Sequence, residues 1–234
     1  MGEQRGTGIR TANERRVIAA IRDAGPLSRA EIARATGLSA PAASDIARRL
    51  AERGFLKAEA KVRGHVGQPH TPLALDPTGA YAIGVKIGRR GVEGVLLDFA
   101  GDVVAELAHD HPAPFPEATL ATARAMIETL RKTRPEVNDR LVGLGVATPW
   151  DLHAWVEALD LPAGALDGWR GLDIATALRA DGWPAPMVVN DASAALAAQL
   201  ACGPSIGRRS MLYLYLGTFF GGGLAIDVAL RLGD

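Results

Sequence analysis

Apolar positions in the first quarter of the chain recur at helical spacing, and then the period changes. Val17, Ile21 and Ala24 share one face and predict a helix over residues 13–24, ended by Gly25-Pro26. Ser28 and Glu31 form an S-x-x-E capping box, the start signal of a short helix that Ala33 and Ala35 continue to Thr36. Gly37 breaks it and Leu38 plugs the turn. Ser39 caps a third helix, with Pro41 in the first turn, where a missing N–H costs nothing. Ala43, Ile46, Ala47 and Leu50 line one face of that helix. It runs to Arg53 and stops at Gly54, which tolerates a left-handed conformation. Beyond it Leu56, Ala58, Ala60 and Val62 alternate with Lys57, Glu59, Lys61 and Arg63, which predicts a half-exposed strand over 56–62. A glycine- and proline-containing loop, 64–70, and a second strand, 71–75, complete a hairpin. Three helices and a hairpin make a winged helix-turn-helix, whose second motif helix enters a DNA groove.

Asp76-Pro77-Thr78-Gly79 is turn-rich and marks a domain boundary, with the winged head at 1–78. The pattern after it is α/β. Strands are predicted at 81–87, 91–99 and 103–109, the last two joined at Gly101-Asp102 as a hairpin. An amphipathic helix follows at 116–134, carrying Leu120, Ala123, Ile127 and Leu130. A short buried strand is predicted at 141–147, a helix at 172–180, a strand at 187–189 and an alanine-rich helix at 191–201. Strands at 211–216 and 223–226 end the pattern. The uncharged run 211–226 is shorter than the roughly 20 residues of a membrane helix, and four glycines interrupt it.

Charge refines this division. The net charge is zero, yet residues 1–78 hold 13 Lys and Arg against 8 Asp and Glu, and residues 79–234 hold 13 against 18. A basic head on an acidic body suits a DNA-binding domain joined to a small-molecule domain. Cys202 is the single cysteine, which excludes a disulfide framework and a cysteine zinc site and suits a reducing cytoplasm. Residues 1–13 are polar and unlike a signal peptide.

On the third helix, the face opposite the apolar one carries Pro41, Ser44, Asp45, Arg48 and Glu52. In a major groove Ser44 and Arg48 are the candidate base readers, since arginine pairs bidentately with guanine. Asp45 repels phosphates and can accept only from a cytosine amino group. Arg49, Arg53, Lys57 and Lys61 are placed for the backbone, which sets register without reading sequence, and Ser39 begins the DNA-binding stretch. Arg63 belongs to a wing tip, 63–70, that can reach a minor groove. The competing reading is a solvated face of a protein–protein module.

Four segments of the body carry a family likeness. They are Ile83-Gly84-Val85-Lys86-Ile87-Gly88, Gly143-Leu144-Gly145-Val146-Ala147-Thr148-Pro149, Asn190-Asp191-Ala192-Ser193-Ala194-Ala195 and Gly217-Thr218-Phe219-Phe220-Gly221-Gly222-Gly223. In this order, behind a winged head, they resemble the ROK family of repressors, open reading frames and sugar kinases. The resemblance implies an actin-like, ribonuclease-H-like fold: a first lobe at 79–186 and an incomplete second lobe at 187–234. It implies that Asn190 and Asp191 contact a sugar. Read without it, Asn-Asp at a strand-to-helix junction is an ordinary N-cap pair.

The same resemblance makes the phosphate loops degenerate. Lys86 stands where the kinases have an aspartate that helps hold magnesium and phosphate, and Arg89 and Arg90 follow Gly88 in place of small residues. Phosphate loops need bare backbone N–H groups in close approach. Arg89 crowds that approach, and Phe219 adds bulk beside Gly217, Thr218 and Gly221. Binding of ATP is therefore not expected. Arg89 and Arg90 are either a solvated turn or a seat for another anion. The family's zinc-binding histidine and cysteines and its further sugar contacts belong beyond residue 234, so no zinc or other cofactor is expected here. A partial second lobe predicts a damaged sugar site and an uncovered apolar face prone to self-association.

These readings predict a cytoplasmic, non-enzymatic repressor of carbohydrate genes. It binds double-stranded DNA as a homodimer on an inverted repeat, responds to a sugar and makes no membrane contact. The alternatives are an ATP-dependent sugar kinase with an added head and a truncated form that interferes with a full-length regulator.

Overall fold

The computed structural model describes residue 9 and residues 11–60, 71–202, 209–216, 220–227 and 229–231. The chain divides into two compact units. The first is residues 1–82 with 97–104 and 134–142, and the second is residues 83–96, 105–133 and 143–234.

The first unit begins with α1 (Ala12–Ala24), α2 (Arg29–Thr36) and α3 (Ala40–Glu52), then β1 (Leu56–Ala58) and β2 (Leu73–Leu75). Each helix starts where a side chain satisfies an orphan amide. The capping box predicted for α2 forms, with Ser28 Oγ accepting from Glu31 N at 3.3 Å and Glu31 Oε2 accepting from Ser28 N at 2.8 Å. A second box, absent from the sequence reading, opens α1 between Thr11 and Glu14. Gly37 (φ 65°) and Gly54 (φ 79°) end α2 and α3 in the left-handed region, where a side chain is strained. Replacing Ser28 by alanine is expected to cost about 1 kcal/mol of stability in thermal unfolding, because the Glu31 amide loses its acceptor. An unchanged midpoint would remove Ser28 from the cap.

Val17, Ile21, Ile32, Ala43, Ile46, Ala47 and Leu50 form one buried cluster with Phe55, Leu56, Leu73 and Leu75. Val17, Ile21 and the α3 face are as the spacing assigned, whereas Ala24 and Ala58, expected on the same faces, are exposed, and Ile32 supplies the α2 contribution. Antiparallel pairing of Leu56 with Leu75 and Ala58 with Leu73 makes the hairpin, and Leu27 adds two backbone hydrogen bonds to Leu73. The first strand is shorter than the predicted 56–62. Glu59 N still donates to Pro72 O at 2.9 Å, but Pro72 has no amide to return and the ladder stops. Residues 61–70, with Lys61, Arg63 and the rest of the wing, lie outside the described residues. A single turn at Val137–Arg140, also not anticipated, places the Arg140 guanidinium 3.0 Å from Thr78 O.

The body is α/β. β3 (Tyr81–Ile87), β4 (Gly91–Asp98), β5 (Val103–Asp110), β6 (Leu141–Thr148) and β7 (Pro186–Asn190) form one sheet in the order β5-β4-β3-β6-β7. Ile83, Val85 and Ile87 alternate inward on β3, as their period of two requires. The β4–β5 turn is held by Asp98 Oδ1, which accepts from Gly101 N and Asp102 N at 3.0 Å each. In the second unit α4 (Pro116–Arg131) buries Ala123, Ile127 and Leu130. Gly94 on β4 lies beneath Met126 and Leu130 of α4, so a glycine there lets helix and strand approach. Parallel β6 and β7 run from Leu144 beside Pro186 to Thr148 beside Asn190.

The helix expected over 172–180 is one turn, Ile174–Ala177. Asp173 caps it, but the Arg124 guanidinium takes the Ala177 carbonyl, removing an acceptor that a longer helix would use. α5 (Asp191–Cys202) packs on β7, β8 (Met211–Leu216) and β9 (Phe220–Ile226), and β10 (Ala229–Arg231) joins β9. Gly221 and Gly222, expected in a loop, lie within β9, which begins three residues before the predicted Gly223. Gly222 pairs with Leu214, and a Cβ on it would meet Tyr213 O at 2.8 Å. Leu196 of α5 sits against Gly223 on one side of this sheet, while Leu212, Leu214, Leu216 and Phe220 are more than half exposed. No helix among the described residues is long and apolar enough to cross a membrane.

Candidate functional site

Two places in the molecule gather the residues singled out from the sequence, one in each unit. The first is the outer face of α3. Ser39 Oγ accepts from Ala42 N at 3.4 Å, which spends this side chain on the cap. Ser44 is half-buried, and Arg48 and Arg49 are exposed. The arginines are not independent. Arg48 Nη2 donates to Asp45 Oδ1 at 2.6 Å and Arg48 Nη1 to Glu52 Oε1 at 2.8 Å, while Arg49 donates to the second oxygen of Asp45. Spacings of three and four bring all four side chains onto one stripe of the helix. The hydrogen bond from Arg48 holds the Asp45 carboxyl below the usual carboxylate range, and the bonds to Asp45 and Glu52 push the Arg48 guanidinium up. The stripe therefore presents two cations and two anions, already paired.

Lys57 is exposed on β1, 3.9 Å from Glu59. Arg53, assigned to the DNA backbone from sequence, is directed elsewhere. Its Nη1 donates to the buried Glu14 at 3.0 Å, and its guanidinium lies 5.0 Å from the Phe55 ring centroid. Desolvating Glu14 is costly unless it is paired, so this contact is structural. The Thr11–Glu14 spacing was its only trace in the sequence.

The second place is a cleft of 440 Å³ in the second unit, at the ends of three strands. Lys86, Gly88 and Arg89 close β3, Pro149, Trp150 and Asp151 follow β6, and Asn190, Asp191 and Ala192 pass from β7 into α5. Crevices beyond the carboxyl ends of parallel strands are the ligand sites of open α/β sheets. Tyr215, Phe220 and Gly221 border the same cleft. The family-implied sugar residues thus share one cavity with Lys86, Gly88, Arg89 and Gly221, whereas Gly217, Thr218 and Phe219 lie outside the described residues.

Both readings of the Asn-Asp pair can be held to the geometry. Asn190 Oδ1 accepts from Ala192 N at 3.0 Å and Ser193 N at 3.4 Å, and Asp191 Oδ1 accepts from Ala192 N at 2.8 Å. The pair caps α5. The Asn190 amide nitrogen and the second Asp191 oxygen make no hydrogen bond to protein among the described residues, so capping leaves one donor group and one acceptor for a ligand. Asp151 and the rings of Trp150, Trp155 and Tyr215 were missed from the sequence. The only hint was the Gly143–Pro149 motif that precedes them. Asp151, on the cleft lining, sits at φ 54°, a left-handed position.

The magnesium that the family likeness implies at the first phosphate loop does not fit the side chain present there. Lys86 Nζ stands 3.2 Å from Glu93 Oε2, an ion pair where a metal would need a carboxylate. Among the described residues no three His, Cys, Asp or Glu side chains are gathered for a metal.

A MarR family model matches residues 8–64, and the ROK family model matches residues 82–234. The chain belongs to the ROK family. Its ROK segment begins within β3 and includes the whole cleft. The xylose repressor of Bacillus spizizenii is 21% identical over 227 residues, which are 97% of this chain and 58% of that protein. A crystal structure of a ROK family transcriptional regulator, a homolog of the E. coli MLC protein, superposes with a TM-score of 0.66 at 20% identity. The match covers 94% of this chain and 55% of that one, and it shows the shared fold of head and body. The inorganic polyphosphate/ATP-glucomannokinase of Arthrobacter gives a TM-score of 0.51 at 25% identity, over 66% of this chain and 62% of that one. ROK regulators and ROK kinases are thus both similar to this chain, and the kinase likeness covers the smaller share of it. The chain spans little more than half the length of the curated relatives it matches.

Proposed function

We propose that this ROK family chain is a sugar-responsive, DNA-binding repressor of carbohydrate genes. The observation that carries the reading is the winged head. Two capped helices meet at a left-handed glycine, and the polar stripe of the second is open to solvent. In this reading residues 1–78 bind DNA, residues 79–186 are a first lobe and residues 187–234 belong to a second. Ser44 and Arg48 read bases, Arg49, Lys57 and Lys61 engage the backbone, Ser39 begins the helix that lies in the groove, and Arg63 reaches a minor groove from the wing tip. Two copies bind an inverted repeat, because a two-fold protein dimer matches a two-fold operator. The protein acts in the cytoplasm, where its DNA is. Likeness to a xylose repressor supports a sugar at Asn190 and Asp191. That sugar must bind two arrangements of the protein with different affinity to act as a switch.

A non-enzymatic role is supported by the Lys86–Glu93 pair at the first phosphate loop. The reading is tested by fluorescence anisotropy of the chain on the duplex upstream of its own gene, against a scrambled duplex, at two salt concentrations. Specific binding that survives the higher salt is expected, since phosphate contacts alone weaken steeply with salt. Equal affinity for both duplexes, lost with salt, would overturn it. Turnover of glucose in a coupled ADP assay would favour the kinase instead.

A further inference from the structure

The compact unit that holds the winged head is larger than the head. It takes in residues 97–104, with the turn between β4 and β5, and residues 134–142, with the turn at Val137–Arg140. Their contacts with the head converge on the corner where α3 ends and β1 begins. Phe55, at that corner, is buried, donates its amide to Leu50 O at 2.9 Å and accepts from Asp76 N at 3.0 Å. Phe99, the residue after β4, packs against the head cluster with its ring centroid 5.3 Å from that of Phe55. Its backbone is tied as well. Phe99 N donates to Pro77 O at 3.0 Å, and Phe99 O accepts from Arg22 of α1 at 3.4 Å. The same Arg22 guanidinium lies 5.9 Å from the Phe99 ring centroid. Tilted ring pairs and a cation near a ring are favourable beyond the area they bury.

Arg140 holds the corner through a second contact. Its Nη1 donates to Thr78 O at 3.0 Å, and a Cβ on Gly54 would meet that nitrogen at 3.1 Å. Gly79 passes so closely that a Cβ on it would meet Gly54 O at 2.8 Å and Phe99 Cδ1 at 3.3 Å. Residues 76–79, turn-rich in the sequence, are thus packed, whereas a free linker is a place where few contacts cross. Phe55 directly follows the glycine that ends α3, so whatever holds Phe55 also holds the end of the helix that faces DNA.

We propose that Phe99 and Arg140 are positioning residues for DNA binding. They seat the head on the β4–β5 turn and the 137–140 turn, and so fix the distance at which the two heads of a dimer meet two half-sites. This role rests on the reading of the protein as a dimer on an inverted repeat. A head on a loose linker accepts many spacings, and a seated head accepts one, because the second contact is lost when the geometry cannot reach it.

Fluorescence anisotropy of the full chain tests it on the duplex upstream of its own gene and on copies lengthened between the half-sites by about 5 and about 10 base pairs, half a helical turn and one turn. A duplex with one half-site reads each head alone. Wild type is expected to lose about tenfold or more in affinity on the half-turn insertion. Phe99→Ala should flatten this dependence while binding the single half-site as wild type does, and Phe99→Tyr, which keeps the ring, should retain the dependence. Arg140→Gln lies outside the head core and should flatten it too, which decides the matter if Phe99→Ala melts the head and weakens the half-site. Unchanged dependence on spacing in both Phe99→Ala and Arg140→Gln would overturn the seat and leave the repressor reading standing. Wild type binding every spacing equally would overturn the seat and the inverted repeat. Wild type binding a scrambled duplex as tightly as the upstream one would overturn the repressor reading, and the seat with it.

Discussion

Leu50→Ala is expected to destabilise the winged head by about 2–5 kcal/mol. Leu50 is wholly buried in the cluster that unites α1, α2, α3 and the hairpin. Truncation removes its transfer free energy and leaves a cavity in a small core. Val17, Ile32, Ala43 and Ala47 around it are also fully buried, and β-branched or short side chains have little freedom to move into the space. Urea unfolding followed by circular dichroism reads the loss, and hydrogen exchange of the α2 amides localises it. Because α3 is held in place by this cluster, specific DNA binding should fall in parallel at temperatures where the head begins to melt. A loss well under 1 kcal/mol would mean that the cluster closes over the cavity.

Arg48→Ala is expected to cost about 1–3 kcal/mol of specific DNA binding, with a smaller effect on a scrambled duplex. Two contributions add. The proposed base contact disappears, Glu52 loses its partner, and Asp45 keeps only Arg49. Asp45→Asn separates the two. It releases Arg49 and leaves Arg48 paired with Glu52 alone, without removing either, so affinity for scrambled DNA should rise, the ratio of specific to scrambled affinity should fall, and the salt slope should steepen by about one. Unchanged affinity of Arg48→Ala for a cognate duplex would take base reading away from this residue. The pair should not make binding vary between about pH 6 and pH 8. Asp45 has a lowered folded pKa, so what its pairing contributes is complete above the ordinary carboxylate range and is lost only as pH falls through the folded value.

Local signals in the sequence were strong wherever neighbouring residues decide the outcome. The Ser28–Glu31 box, the Gly37 turn, the Ser39 cap and the apolar face of α3 were all legible, because a cap or a helical stripe needs partners only three or four residues away. β3 to β7 were legible for a similar reason, with small errors at their ends. What was misread depended on distant partners. The helix at 174–177 is cut short by Arg124, 53 residues away, and Arg53 is drawn to Glu14, 39 residues away. Gly221 and Gly222 looked like a loop because small residues mark phosphate loops, yet they serve close pairing with β8.

The sequence by itself determined the order of elements, the winged head, the α/β body and the family, since each rests on periodicity and on short motifs. Only the tertiary structure decided the function-bearing arrangements. It tied Arg48 and Arg49 to one carboxylate, and it brought the ends of β3, β6 and β7 around a single cleft. It also left Arg89 as the unpaired cation on that cleft's wall among the described residues. The reason is physical: the charge a ligand meets is set by which side chains share a cavity, and strand order joins residues a hundred positions apart that no local pattern connects.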